Sequence, residues 1–260
     1  MHRFVDQLRL VPEVAYLSTR TPRNSATAWE NYWGRVRTTG MQGEVLWDVE
    51  IGSEADQYSA IIDASMDAGL PILDAGCGNG RWTRWLSQRF PIAVGLDHSS
   101  SAVKRAAVES GDAAGVSFHV LDLTVPGTGR ILQEEHGDAN IFVRGLLHIL
   151  QPRERVELGR NLLEAVGRRG RVLLTETNYR GNPLSYLHSL GARPGSIPDP
   201  LRKAIGGIPV PGHFGPVERS AAFPGEAWEV LSDGPALIEA VPMNGSPTVI
   251  PGYLAMLGPR

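Results

Sequence analysis

The chain has 260 residues, of which 42% are hydrophobic and 20% charged, and its net charge at pH 7 is −3. These values are typical of one larger α/β domain, and the small negative charge argues against nucleic acid as a partner. The single cysteine, Cys77, excludes internal disulfides and a metal cage built from cysteines. Because no long apolar run or N-terminal apolar segment is seen, we expect a cytoplasmic protein without membrane contact.

The N-terminal residues 1–52 are rich in tryptophan, tyrosine and arginine and show little periodicity. We interpret them as an N-terminal helical cap. The first clear helix is predicted from Ser53, where "SEAD" resembles a capping box with Ser53 as N-cap and Asp56 in the usual place of Glu or Gln. Gly69 and Pro71 are expected to end this helix.

Strands and helices are predicted to alternate through residues 53–177, which we take as the cofactor-binding core of a single domain. The predicted strands are "PILDAG", "IAVGLD", "VSFHVLDL", "ANIFVRG" and "RVLLTET". Pro152 suits the first residue of the helix before the fifth strand. This order predicts an α/β fold with a doubly wound, mostly parallel sheet. Residues 226–260 are predicted to add an antiparallel hairpin at the sheet edge.

Residues 178–225 interrupt the alternation with many prolines and glycines. Such a stretch in a compact domain indicates either disorder or a functional lid that inserts over the substrate, and a homodimer contact is a further alternative. The side chains in this segment that we consider for an acceptor pocket are Tyr179, Tyr186, His188, His213 and Phe214.

A glycine-rich turn follows the first strand in "ILDAGCGNGRWTRWL", residues 72–86. The dinucleotide fingerprint G-x-G-x-x-G would need a glycine where Arg81 stands, so a nicotinamide cofactor is disfavoured. Instead, Gly76, Gly78 and Gly80 alternate after the acid Asp74 at the strand tip.

This segment resembles motif I of class I S-adenosylmethionine (SAM)-dependent methyltransferases, in which an apolar strand and an acid precede G-x-G-x-G. The resemblance implies a Rossmann-like methyltransferase fold with SAM as the cofactor. It places Asp74 near the cofactor ammonium and brings the backbone of Gly76, Cys77 and Gly78 against the cofactor.

Acids at the next two strand ends extend the resemblance. Asp97 stands 23 residues after Asp74, where the family binds both ribose hydroxyls, and His98 would lie against the adenine. Asp122 and Leu123 match the positions that bind the adenine amine and ring. Because the carboxyl ends of parallel strands meet at one edge, we expect these residues to surround one ligand.

The upstream segment "WENYWGRVRTTGMQGEVLWD" is similar to the leader of small-molecule methyltransferases of the thiopurine and tellurite-resistance type. The similarity implies that Trp33 and Trp47 close over the cofactor, where an indole ring can face the sulfonium. Packing of these tryptophans in the protein interior is the alternative.

The chain reads "FVRGLLHIL" after the fourth strand and lacks the [DNS]-P-P-[YF] tetrad of enzymes that methylate amino groups of bases or glutamine. Arg144 matches a position lining the cofactor pocket and is expected to bind the methionine carboxylate or a substrate anion. His148 matches the first histidine of the family's "LHH" segment and is either a catalytic base or structural. No metal site is predicted, because this strand lacks acidic ligands.

Together these patterns predict a SAM-dependent methyltransferase acting on a small organic molecule, with oxygen slightly favoured over nitrogen as the acceptor atom. The alternatives are an RNA or protein methyltransferase and a non-catalytic, SAM-binding partner subunit.

Overall fold

The structure is a computed structural model that describes residues 2–49, 51–243 and 246–260. The chain divides into two compact units. The first comprises Met1–Ile51, Tyr179–Pro211 and Ile238–Ile250. The second comprises Gly52–Asn178, Gly212–Leu237 and Pro251–Arg260, and it carries the predicted cofactor motifs.

The second unit is built on a mixed sheet of seven strands in the order β3-β2-β1-β4-β5-β7-β6. The strands are β1 (Ile72–Ala75), β2 (Ala93–Asp97), β3 (Val116–Val120), β4 (Asn140–Arg144), β5 (Val172–Thr177), β6 (Trp228–Met243) and β7 (Ser246–Pro259). The last two strands contribute residues to both units.

The first five strands pair in parallel, and β7 pairs antiparallel to β5 with Thr175 opposite Leu254. The predicted doubly wound sheet with antiparallel C-terminal strands is therefore confirmed. Strands β2 and β3 lie on one side of β1, and β4 and β5 lie on its other side. The strand order therefore reverses between β1 and β4. Ligands of open α/β sheets bind at such a reversal, outside the carboxyl ends of the strands.

Helices connect these strands because each crossover must return the chain to the same end of the sheet. In the second unit they are α3 (Ser53–Ser65), α4 (Arg81–Leu86), α5 (Ser100–Ser110), α6 (Thr128–His136), α7 (Pro152–Val166) and α10 (Pro216–Ala222). A 3-10 turn, Leu147–Ile149, lies between β4 and α7. Pro152 is the first residue of α7, as predicted.

Helix α3 begins at Ser53, but the predicted capping box is wrong. Gly52 is the N-cap, because its carbonyl accepts the first helical bonds from the amides of Ala55 and Asp56. Ser53 is thus already inside the helix and cannot take the N-cap position. The buried face of α3 includes Glu54 and Tyr58, a polar pair that faces the end of β4.

The core of the second unit lies on both faces of the sheet, and strands β1, β2 and β5 are buried along their full length. On β3, the Phe118 ring needs two glycines to fit. A Cβ on Gly80 would lie 2.5 Å from this ring, and one on Gly95 would lie 2.4 Å from it. Gly80 therefore allows close packing against the sheet, as the third glycine of G-x-G-x-x-G does in dinucleotide-binding sites. Here that glycine stands one position earlier, in G-x-G-x-G.

The first unit contains α1 (His2–Ser18), α2 (Ser25–Arg35), α8 (Pro183–Ser189) and α9 (Asp199–Gly207). The N-terminal segment is helical, as predicted. The proline-rich stretch 178–225 forms α8, α9 and α10, each with a proline in its first turn, so the disorder alternative is wrong. No helix among the described residues has the length and apolar character needed to cross a bilayer.

Candidate active site

The glycine turn after β1 is held in a conformation that glycine adopts at little cost. Gly76, Gly78 and Gly80 have φ of 78°, 55° and 72°, in the left-handed region that side chains disfavour. The amides of Gly76 and Cys77 donate to the carbonyl of Leu96, at 2.8 and 3.0 Å. The turn is thus fastened to β2 and presents backbone rather than side chains at the strand end.

Asp74 lies beneath this turn and is buried, with 3% of its surface exposed. Its Oδ2 accepts a hydrogen bond from the Thr83 hydroxyl at 2.5 Å. Burial raises the pKa of Asp74 to about 7, opposed by the Thr83 hydrogen bond and assisted by the charge of Asp97. A cation bound here would favour the ionised carboxylate, which suits an ammonium group.

Asp97 is the last residue of β2 and braces the same turn. Its Oδ2 accepts from the amide of Gly78 at 3.0 Å, and its Oδ1 accepts from the amide of Ser99 at 2.9 Å. His98 follows it, with Nδ1 3.7 Å from Oδ1 of Asp97. The structure therefore brings the first two predicted acids and the glycine turn together.

The third predicted position lies in a turn, since β3 ends at Val120. Asp122 is exposed, and its Oδ1 accepts from the amide and hydroxyl of Thr124 at 2.9 and 2.6 Å. Leu123 is buried in the core cluster. The amide of Leu121 donates to the Asp97 carbonyl at 2.9 Å, so this turn starts beside the end of β2.

Arg144, at the end of β4, meets a carboxylate of the protein itself. Its Nε and Nη2 donate to Oε1 and Oε2 of Glu54 at 2.5 and 2.9 Å. Both side chains are buried, at 6% and 1% exposure. The predicted partner of Arg144 was a ligand carboxylate, whereas the partner present is Glu54. Glu54 was not predictable, because nothing in an amphipathic helix marks one acid as buried.

Aromatic groups enclose this ion pair. The Tyr58 hydroxyl donates to Oε1 of Glu54 at 2.5 Å, and the Arg144 guanidinium lies 5.3 Å from the centre of the Trp82 ring. Burial by itself lowers the pKa of Arg144, but the Glu54 carboxylate outweighs this effect and the pKa lies above its ordinary value. Arg144 is therefore a permanent cation balanced within the fold.

His148 lies in the 3-10 turn after β4 and contacts Glu176 of β5. Its Nδ1 is 2.6 Å from Oε2 of Glu176. Glu176 is fully buried and also accepts the amides of Leu146, Leu147 and His148, at 3.0, 2.8 and 3.1 Å. Glu176 was not among the predicted site residues, although an acid inside the apolar strand "RVLLTET" is a signal for a buried polar role.

The remaining predicted residues separate into the two units. Trp33 is buried in the first unit, where its ring packs edge-on against Tyr32 and Trp47, so its packing alternative is observed and its cofactor role stays a prediction. Phe214 is fully buried in the core of the second unit, which removes it from the predicted pocket lining. Tyr179 and Tyr186 contact each other in the first unit, at 4.8 Å between ring centres.

These features define a class of protein. It is an α/β protein whose strand-order reversal carries a backbone-exposing turn flanked by buried carboxylates, which suits a cationic nucleoside better than a pyrophosphate. Among the described residues, no group of three or more His, Cys, Asp or Glu side chains is placed to hold a metal ion.

Comparison with known proteins agrees with this class. The family model described as "Methyltransferase domain" matches residues 72–170. A SAM-dependent methyltransferase from Anabaena variabilis is 31% identical, covers 92% of this chain and 97% of its own, and superposes with a TM-score of 0.79. The search of curated proteins found no match.

Two more distant structures show the same fold. One comes from work on the conversion of a disulfide bond into a thioacetal group during echinomycin biosynthesis. It is 21% identical over 88% of this chain and 87% of its own, with a TM-score of 0.61. The other is magnesium protoporphyrin IX methyltransferase from Synechocystis with bound S-adenosylhomocysteine (SAH). It is 16% identical, covers 89% of this chain and 93% of its own, and has a TM-score of 0.52.

The chain belongs to the class I SAM-dependent methyltransferases. It is an enzyme of this kind, and SAM is its cofactor.

Proposed function

We propose that the protein transfers the methyl group of SAM to a small organic molecule, with oxygen favoured over nitrogen as the acceptor atom. The observation that carries this proposal is the turn after β4. In place of the amino-methylating tetrad it presents His148, whose imidazole is held by the buried carboxylate of Glu176 at 2.6 Å. A histidine so held is suited to take a proton.

The cofactor supplies an activated methyl group on a sulfonium, so the protein must chiefly hold the reactants in line. We propose that Asp74 binds the ammonium, and that the backbone of Gly76, Cys77 and Gly78 contacts the methionine part. Asp97 and His98 bind the ribose and adenine side, together with Asp122 and Leu123. Positioning of this kind supplies about 7–11 kcal/mol, and a general base adds roughly 10²–10⁴-fold.

Oxygen is favoured because a hydroxyl must lose its proton as the new O–C bond forms, and His148 can take that proton. A neutral amine already offers its lone pair and needs no base before it attacks. The presence of a buried carboxylate behind the imidazole therefore supports a hydroxyl acceptor more than an amine.

The proposed partner is a small-molecule acceptor, with no nucleic acid and no membrane, in the cytoplasm. The net charge of −3 supports this, since RNA-binding surfaces need clustered positive charge. The N-terminal cap, residues 1–52, and the segment 178–225 are proposed to serve acceptor recognition, with a homodimer contact as the alternative use of that segment. Trp33 is proposed to close over the cofactor.

The test has two stages. Isothermal titration with SAM and with SAH should give saturable binding to the wild type and at least about tenfold weaker binding to Asp97→Ala, which loses two charge-assisted hydrogen bonds. Methyl-labelled SAM is then incubated with a panel of phenols, alcohols, amines, carboxylic acids, RNA and protein. Label in the hydroxyl compounds alone supports the proposal. Label in RNA or protein, or none anywhere with SAM bound, contradicts it.

A further inference from the structure

The carboxylate of Glu176 accepts several hydrogen bonds from the turn that follows β4. It is fully buried and accepts hydrogen bonds from the three amides of residues 146–148, and its Oε2 lies 2.6 Å from Nδ1 of His148. An ionised carboxylate accepts hydrogen bonds and donates none. For Oε2 to accept in the 2.6 Å contact with His148, the hydrogen of that contact has to lie on Nδ1.

We infer that Glu176 is a positioning residue, which fixes neutral His148 as the Nδ1–H tautomer and so makes Nε2 the nitrogen that receives the acceptor proton. This inference rests on the proposed function for its role in the reaction, but the tautomer itself is a property of the free protein. Among the described residues, Nε2 has no hydrogen-bond partner, and 12% of the His148 side chain remains exposed.

The proton balance of the step follows from this arrangement. As the acceptor oxygen attacks the methyl carbon, its hydrogen passes to Nε2 of His148, and the electron pair of the broken C–S bond stays on sulfur. His148 then becomes an imidazolium with hydrogens on both nitrogens. The Glu176 carboxylate stabilises that cation through the Nδ1 contact, in a setting from which water is largely excluded.

A purely structural role would use only the backbone contacts. Glu176 would then fasten residues 146–148 to β5, and the imidazole contact would be incidental. The two roles differ in one observable: only the positioning role controls which imidazole nitrogen carries the hydrogen. Glu176→Gln separates them. Its amide oxygen can still accept the amides of Leu146 and Leu147, which Oε1 accepts in the wild type. An NH₂ group in the place of Oε2 would lose the bond from the His148 amide, donate to Nδ1 and move the imidazole hydrogen to Nε2.

The chain offers a matched control in a second histidine–glutamate pair. Nε2 of His213 lies 3.6 Å from Oε2 of Glu218, and both side chains are 28% exposed. Glu218→Gln makes the same chemical change in a pair whose contact is longer and whose side chains are more exposed to solvent. It should leave the tautomer of His148 as it is in the wild type.

The experiment is a long-range ¹H–¹⁵N correlation of histidine-labelled protein at about pH 8, where free histidine is neutral. His148 is assigned from the signals lost in His148→Gln. In the wild type and Glu218→Gln, we expect a protonated Nδ1 and an unprotonated Nε2. In Glu176→Gln, we expect the majority form to reverse. A wild-type His148 with its hydrogen mainly on Nε2 overturns the inference, as does a tautomer unchanged in a folded Glu176→Gln.

Titration of the same samples with SAH keeps this test apart from the proposed function. If SAH binds neither the wild type nor the variants, the cofactor site fails, while the tautomer result still stands by itself. If Glu176→Gln does not fold, the wild-type spectrum alone decides the inference.

Discussion

The buried pair of Glu54 and Arg144 allows the sharpest stability prediction. Replacing Glu54 by Gln keeps the size of the side chain but leaves the Arg144 cation without its counter-charge and turns an amide NH₂ towards a guanidinium nitrogen. The two hydrogen bonds are 2.5 and 2.9 Å long, and the side chains are only 1% and 6% exposed. Breaking such a pair from one side costs about 3–5 kcal/mol of unfolding free energy, a large part of a typical total.

Urea denaturation measures the effect, with Glu157→Gln as the control. Glu157 pairs with Arg160 on the surface, where the arginine side chain is 72% exposed, so its loss should cost less than about 1 kcal/mol. A triple variant, Glu54→Leu with Tyr58→Phe and Arg144→Met, removes the charges and the hydroxyl together. It should recover most of the lost stability, because both buried charges and the hydroxyl that donates to Glu54 are removed together.

If Glu54→Gln lowers the free energy of unfolding by no more than Glu157→Gln, the buried pair does not carry the predicted cost. The triple variant also tests the role that the sequence suggested for Arg144. If its stability is close to that of the wild type and it binds SAH as tightly, the arginine serves the ion pair. If stability is retained but SAH binding falls, Arg144 also reaches the methionine carboxylate.

Three further predictions concern Asp74 and the glycine turn that follows it. Because the pKa of Asp74 is raised to about 7, SAH affinity should increase about tenfold between pH 6 and pH 8, and calorimetry on Asp74→Asn should show no such rise. The same raised pKa gives a contribution to stability that is fully present below about pH 4 and is lost as the pH rises through 7. The melting temperatures of the wild type and Asp74→Asn should therefore diverge as the pH changes. Parallel melting curves across this pH range would contradict the raised pKa. Gly80→Ala should destabilise the protein by about 1–3 kcal/mol more than Gly137→Ala. Their φ values are 72° and 70°, but a Cβ on Gly80 would meet the Phe118 ring and the Ala106 methyl, whereas a Cβ on Gly137 would have nothing within 4 Å. Equal melting temperatures for the two variants would show that the ring moves aside freely.

Most of the sheet was predictable from the sequence, because its signal is local. Buried parallel strands appear as short apolar runs, and each of the five predicted runs overlaps a strand of the structure. The boundary errors have local causes too. The capping box at Ser53 failed because a glycine supplied the N-cap, and the third strand ended before Asp122 because that residue forms a turn with Thr124.

The site was predictable only where its residues lie next to strand ends. Asp74, the glycine turn and Asp97 come together because neighbouring parallel strands end at one edge, and the sequence contains that information. The partners of Arg144 and His148 were not predictable, since Glu54 is 90 residues from Arg144 and Glu176 is 28 residues from His148. Pairing across such separations depends on how α3 and β5 pack against β4, and no periodicity in the chain encodes which acid will face which cation.

The sequence by itself thus determined the alternating α/β architecture, the kind of turn that follows β1 and the acids beside it, since these depend on residue type and spacing within single elements. Only the tertiary structure decided which charges are neutralised inside the protein and which nitrogen of His148 faces a carboxylate. Those outcomes depend on distances between elements far apart in the chain, and an electrostatic interaction in a buried setting changes strongly over a few ångströms.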